Sequence, residues 1–430
     1  MKKLFATIIV VCFATASIFG QDVQNIGQLL DSLKTNPQTK SDVIAVQQAV
    51  NAKNSVYSKL FPNISGFGRY DYSSSPMGML PVPPDELFSM KADPNVGQPF
   101  SENIFRVGAV ISMPIYVQSL FATASMAKMM VRSAKDKAYI NLLSNEALLV
   151  GLNSNLSYIE SLKDALNSKK VSLLKTKQFI EIKVNNGRAS GDALLKINNA
   201  LNDISVTLNN LEIQKQQIIA VINSYTGITL SKPVAMTQTG TFQEGEFKAL
   251  NPLMDKLKAT RLAYRAEKEK LLPSLVAEGS FSNNFARAYN NNLNINNHYT
   301  AASIVLKIPI FSKDQYSQIK KSHLVMEDTK NELAKMKLNL TSESLQLQKS
   351  LALLDNSILL YKQSIVDKQQ LLNIATVDFK TDRMTMEDYL KYEDELVLEK
   401  SNLYKAQAEK WQTLMKLAVI YGNNIEQIVK

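Results

Sequence analysis

The sequence predicts a mainly α-helical chain, duplicated within itself, whose four β-strands can cross a membrane only in a barrel shared by several copies. Three observations carry this. A leader-like N-terminus is followed by no apolar run long enough for a transmembrane helix. A Lys-Leu-apolar-Pro phrase occurs twice, "KLFPNISGFGRY" from Lys59 and "KLLPSLVAEGSF" from Lys270, each time closing a helix-like run and opening an alternating one. Two long proline-free stretches superimpose at a constant offset.

The N-terminus, "MKKLFATIIVVCFATASIFGQDVQ", places Lys2 and Lys3 before a short apolar stretch and small residues up to Gly20. It reads as a signal peptide, residues 1–20, cut before Gln21. Cys12 is the only cysteine and lacks a lipobox, so the mature chain is expected to carry no thiol, disulfide or lipid anchor. Without Lys2 and Lys3 the formal charge falls from +10 to +8, spread along the chain, which argues against a nucleic-acid partner.

Pro114 and Pro309, Arg188 and Arg383, and Gly227 and Gly422 each differ by 195; Pro62 and Pro273 differ by 211. A duplication explains both values if the stretch after the first proline is about 16 residues longer in copy one (211 minus 195). The repeats are then 21–228 and 251–430, joined by a linker at 229–250.

The longer stretch is a hairpin, about 63–116, answered by a second at about 274–311. Ile64, Gly66, Gly68, Tyr70 and Tyr72 alternate on one face of the first strand, and Phe105, Val107, Ala109, Ile111, Met113 and Ile115 on the returning strand. Leu275, Ala277, Gly279 and Phe281, then Ala302, Ile304, Leu306, Ile308 and Ile310, repeat the pattern, with Glu278, Ser280, Ser282, Ser303 and Lys307 opposite. The intervening loops, one with six prolines and one rich in Asn, do not suit lipid.

Helices surround the hairpins. Leu149, Leu152, Leu156, Ile159, Leu162 and Leu166 step by three and four, as do Leu347, Leu351, Leu354, Ile358, Tyr361 and Ile365, a coiled-coil stripe in each copy. From Gln118 the first run makes a rod of roughly 100 Å. The rods turn at "NNGRASGD" and "KTDRMTMED", and a shorter helix returns from each. One more helix leads into each hairpin. Four strands of roughly 10 residues can cross a bilayer but cannot close a barrel, so several chains must share one. A secreted structural or adhesive coiled coil with its hairpins in a soluble head is the alternative, although such a head needs no aromatic-ended apolar faces on all four strands.

The ordered series "LFPNIS", "MPIY", "NGRASGDALL", "LLPSLV", "IPIF" and "DRMTMEDYL" resembles the TolC-like outer membrane efflux proteins over essentially the whole mature chain. The resemblance implies a homotrimer in the outer membrane of a Gram-negative-type bacterium, with a twelve-stranded barrel and a periplasmic α-barrel tunnel. Its partners would be a periplasmic adaptor and an inner-membrane efflux pump or secretion transporter. Drug efflux, metal efflux and type I protein secretion all remain open as the export task. Pro62, Pro114, Pro273 and Pro309 then mark helix-to-barrel junctions. The turns, Gly187, Arg188, Ala189 and Ser190 with Arg383, Met384 and Thr385, become partner-docking tips. By resemblance, acids after the second tip ring a periplasmic gate. Asp388, with Glu387 beside it, matches that position, whereas Lys391 and its counterpart Lys196 stand where a further acid is usual. The acidic group continues with Glu393, Asp394 and Glu395, and a solvated helix start is its other reading.

Neither catalysis nor a cofactor is expected. His298 and His323 have no second ligand at metal spacing, and Met126, Met129 and Met130 are read as packing residues.

Overall fold

The computed structural model describes residues 25–430 except 84, 87, 90–92 and 189. The predicted signal peptide and Ala189 lie outside the described residues. Two helices, α1 (Ile26–Leu33) and α2 (Pro37–Ser58), precede strands β1 (Asn63–Gly78) and β2 (Phe100–Tyr116). Then come α3 (Gln118–Asn185) and α4 (Gly191–Thr226), and after a non-helical stretch α5 (Asn251–Glu269), β3 (Ser274–Arg287), β4 (Asn294–Lys307), α6 (Lys313–Lys380) and α7 (Met386–Tyr421). The duplication is written into the element bounds. Subtracting the first and last residues of α3 from those of α6, or of α4 from those of α7, gives 195 each time. The ends of α2 and α5 and the starts of β1 and β3 differ by 211.

The chain forms two compact units, each drawing on both repeats. One comprises the chain up to Ser41, Tyr139–Ala249 and Leu340–Lys430; the other comprises Asp42–Ala138 and Leu250–Asn339.

The second unit holds an antiparallel sheet in the order β1-β2-β3-β4. Its register pairs Ile64 with Ile111, Tyr70 with Phe105, Phe105 with Phe285 and Ala277 with Ile304, so the apolar sets of all four strands share one face. That face is uncovered: Ile64, Tyr70, Phe281 and Ile304 are all exposed. Gly108 permits close strand approach, because a Cβ there would lie 2.2 Å from the Phe281 carbonyl oxygen.

The junction prolines do not behave alike. Pro62 and Pro273 each follow a tight turn and precede the first residue of a strand, β1 and β3. Pro114 instead lies inside β2, opposite Val276, beside a bulge that accommodates its missing N–H. Pro309 follows β4, which stops at Lys307, so Ile308 and Ile310 lie beyond the strand.

In the first unit the helices pack through heptad stripes. Ile197, Ile204 and Leu211 step by seven along α4 and meet Ile159, Leu166 and Leu173 of α3 and Met386, Tyr389 and Leu396 of α7 in one core. The stripe in α3 is mostly buried, whereas in α6 only Leu347 of the six predicted residues is. Farther along, α1 packs Ile26, Leu29, Leu30 and Leu33 against Leu149 and Leu156 of α3 and Ile425 near the C-terminus. The inter-repeat segment is not free chain: Thr237 and Lys430 exchange backbone hydrogen bonds at 2.7 and 3.0 Å, and Leu230 and Val234 join the same core.

Glu146 of α3 is 4% exposed in this neighbourhood, and its Oε2 has no hydrogen-bond partner among the described residues. Burial, with repulsion from Glu426 and Asp31 outweighing attraction to Lys34, pushes its pKa up to about 7. Lys34 is engaged by both of those acids. The folded state therefore holds a proton that the unfolded chain releases near pH 4.5. Stability from this group is retained at low pH and lost as pH rises between those values, on the order of 2–3 kcal/mol in all. The expected outcome is a thermal midpoint that falls between pH 5 and pH 8, and a Glu146→Gln variant that removes most of this slope.

Candidate functional site

The tips are built twice by the same local chemistry. At the end of α3, Gly187 takes φ +67°, and Arg188 N–H donates to the Lys183 carbonyl at 2.8 Å. At the end of α6, Asp382 takes φ +62°, and Arg383 N–H donates to the Asp378 carbonyl, also at 2.8 Å. Both are left-handed helix terminations that satisfy the last carbonyls. Aspartate tolerates that conformation better than most residues, which explains how copy two manages without glycine.

Each returning helix is capped at once. Ser190 accepts from Asp192 N–H at the start of α4. Thr385 accepts from Asp388 N–H at 3.1 Å and donates its hydroxyl to Asp388 Oδ2 at 2.6 Å. A Lys183–Asp382 ion pair joins the two turns. Arg188 and Arg383 are exposed, and neither takes part in an ion pair among the described residues.

The five acids that follow the second turn are not equivalent. Glu387 lies 3.5 Å from Lys196 of the opposite repeat, Asp394 pairs with Lys169, and Glu395 pairs with Lys368 at 3.1 Å. Glu393 is not a surface residue at all. It is 3% exposed and accepts from Tyr389 Oη at 2.8 Å and Ser172 Oγ at 2.6 Å. Asp388 alone of the five is both exposed and without a cation at ion-pair distance among the described residues.

Sequence reasoning missed the Tyr389–Glu393–Ser172 cluster, although a signal was present. Residues 386, 389, 393 and 396 step by three and four, so Glu393 occupies a stripe position between Met386 and Leu396. Lys169 does the same between Leu166 and Leu173. Burial pushes the pKa of the Tyr389 phenol up, keeping it a donor, and its ring stacks on Phe379 at 5.1 Å.

The other singled-out residues belong to the sheet-bearing unit. His298 stacks on Phe281 at 6.3 Å and His323 lies against Tyr264 at 5.2 Å, both in the sheet-bearing unit. Met126 and Met129 are half-buried and Met130 is exposed. No cluster of three or more metal-ligating side chains occurs among the described residues. No described helix is long and apolar enough to cross a membrane.

No protein-family model matches the sequence, and no curated protein does. Solved structures match over nearly the whole chain. The CmeC outer membrane channel of Campylobacter jejuni has a TM-score of 0.77 at 15% identity, covering 93% of this chain and 86% of its own. The outer membrane protein VceC of Vibrio cholerae gives 0.77 at 11% identity, covering 93% and 96%. The chain has the TolC-like fold. A third structure with the TolC-like fold, the open state of the Neisseria gonorrhoeae MtrE outer membrane channel, matches at 0.75 with 12% identity over 93% and 89% of the two chains. At such identities the TolC-like fold is shared while individual side chains are not, so the roles of the tip residues rest on this chain's own geometry.

The buried polar cluster yields a prediction. Tyr389→Phe leaves the Glu393 carboxylate with Ser172 alone and should destabilise the tip by about 1–2 kcal/mol. Hydrogen exchange at the first turns of α7 should speed up accordingly, with little change around α1.

Proposed function

We propose that the protein is the exit duct of an export system, a homotrimer in the outer membrane that passively conducts cargo delivered by a periplasmic adaptor and an inner-membrane pump or secretion transporter. One observation carries this reading: the sheet exposes an apolar face while, among the described residues, β1 and β4 each keep one unpaired edge. Lipid accounts for the face, and only neighbouring copies account for the edges. Three chains of four strands give twelve, an even number suited to a closed barrel. The helices agree, since α2 has no buried residue and α6 exposes Leu338, Leu353, Leu359 and Leu360, each more than 60%. The fold shared with outer membrane channels supports the same reading.

In this duct the turns at Gly187–Ser190 and Arg383–Thr385 serve as docking tips, with Arg188 and Arg383, exposed and without an ion pair among the described residues, as cations for an acidic partner surface. Asp388 is the gate residue, because no cation among the described residues neutralises its carboxylate. Glu387 contributes less, being tied to Lys196. The conduit itself performs no chemistry on its cargo.

The mature protein should fractionate with the outer membrane and run as a heat-sensitive trimer on denaturing gels. A stable monomer in the soluble periplasm would instead favour a secreted coiled coil.

Charge reversal at Arg188 and Arg383 should abolish export while leaving the trimer assembled. In planar bilayers Asp388→Ala should weaken cation selectivity and block by divalent cations, and Glu387→Ala should change both much less. Equal effects of the two substitutions would remove the distinction drawn from the Lys196 ion pair.

A further inference from the structure

The loop ends of β1 and β2 contain a contact that neither the sheet nor the tips require. Arg106 of β2 donates from Nε to Asp71 Oδ2 at 3.0 Å, from Nη1 to the Met79 carbonyl at 3.1 Å and from Nη2 to the Gly78 carbonyl at 3.2 Å. Asn284 of β3 donates to the same Met79 carbonyl at 3.1 Å. Met79 N–H in turn donates to the Pro99 carbonyl at 2.9 Å. The Met79 and Asn284 side chains are fully buried, as are Ile104 and Ala288.

Register fixes the side on which this happens. Arg106 pairs with Asn284, two residues from Ser282 and on the face of Glu278 and Ser280, opposite the face of Phe105 and Phe285. The segment Gly78–Leu80 therefore crosses the polar face of the sheet. Arg69 also stands directly opposite Arg106, a like-charge pairing that is unfavourable in a sheet unless compensated. Asp71 compensates by bonding both guanidiniums. The planar fork of Arg106 thus grips one carboxylate and two carbonyls at once, which a lysine could not do. From the other side, Asn290 and Asn291 hold the carbonyls of Val96 and Pro94, so the chain leading back to β2 is pinned as well.

We propose that Arg106 is the clasp of a constriction at the outer mouth, holding the strap Gly78–Leu80 across the polar face, which faces the passage. The inference rests on the duct reading, in which three such straps narrow one exit. It makes the outer mouth a second narrow point, set by residues remote in sequence from Asp388.

One-sided polymer exclusion tests it. Polyethylene glycols of increasing mass, added to the purified trimer in a planar bilayer on the loop side alone, read the width of that mouth whatever the resistance of the other end. Arg106→Ala should raise the largest polymer mass that enters by about two-fold. Leu80→Cys in a Cys12→Ser background, loaded with a bulky thiol reagent, should lower it, and this arm decides the matter if Arg106→Ala fails to assemble. An unchanged cut-off in the assembled variants would overturn the clasp while leaving the duct intact. A wild-type trimer that carries no current under any condition would overturn the duct, and the clasp with it.

Discussion

An unpaired strand edge is the constraint on which the rest depends. The four strands satisfy one another's backbone groups inside the sheet, but β1 and β4 each present a row of N–H and C=O groups with no strand partner among the described residues. Water can meet that need on a soluble protein. The same sheet also exposes Ile64, Tyr70, Phe281 and Ile304 along one face, a surface that water does not favour. An environment that suits the face leaves the edges unsatisfied, because hydrocarbon offers no hydrogen bonds. Only pairing with further strands meets both demands, and this is the physical ground of the proposed shared barrel.

Duplication supplies two hairpins for one chain and, with them, two copies of every helical device. The copies have diverged where they meet. Gly187 and Asp382 solve the same left-handed termination with different residues, and Lys196 faces Glu387 across the repeats where like residues would repel. The stripe in α3 is mostly buried within the chain while most of its counterpart in α6 is left half-covered, so equivalent helices are packed differently.

Much of this was legible in the sequence because it depends on periodicity and subtraction. Alternation placed all four apolar strand faces on one side, and the offset of 195 recurs in the bounds of four helices. The proline reading was less uniform. A proline at the start of a strand is readable as a stop, but Pro114 sits within β2 because a bulge at Ile115 of the same strand makes room, and a bulge has no local signature in "MPIY". The acidic group shows the same limit. Treated as surface charge, its five members look alike, whereas the structure ties three to lysines, buries one and leaves one without a cation among the described residues. The lysine partners of Asp394 and Glu387 lie in the other repeat, and sequence gives the periodicity of a helix but not the rotation that decides which side chains meet.

The buried polar residues follow a common physical logic. Glu393 is held by two hydroxyl donors, which makes its burial inexpensive and fixes the local register of α3 and α7. Glu146 has an unpartnered oxygen and two neighbouring acids that share a single lysine, so its burial is relieved only by a proton. One carboxyl therefore specifies packing at the tip through its two hydroxyl donors, and the other makes the packing of α1 against α3 respond to pH. A search for function among buried acids must ask which donors reach each oxygen, because burial alone describes both residues equally well and predicts opposite behaviour for neither.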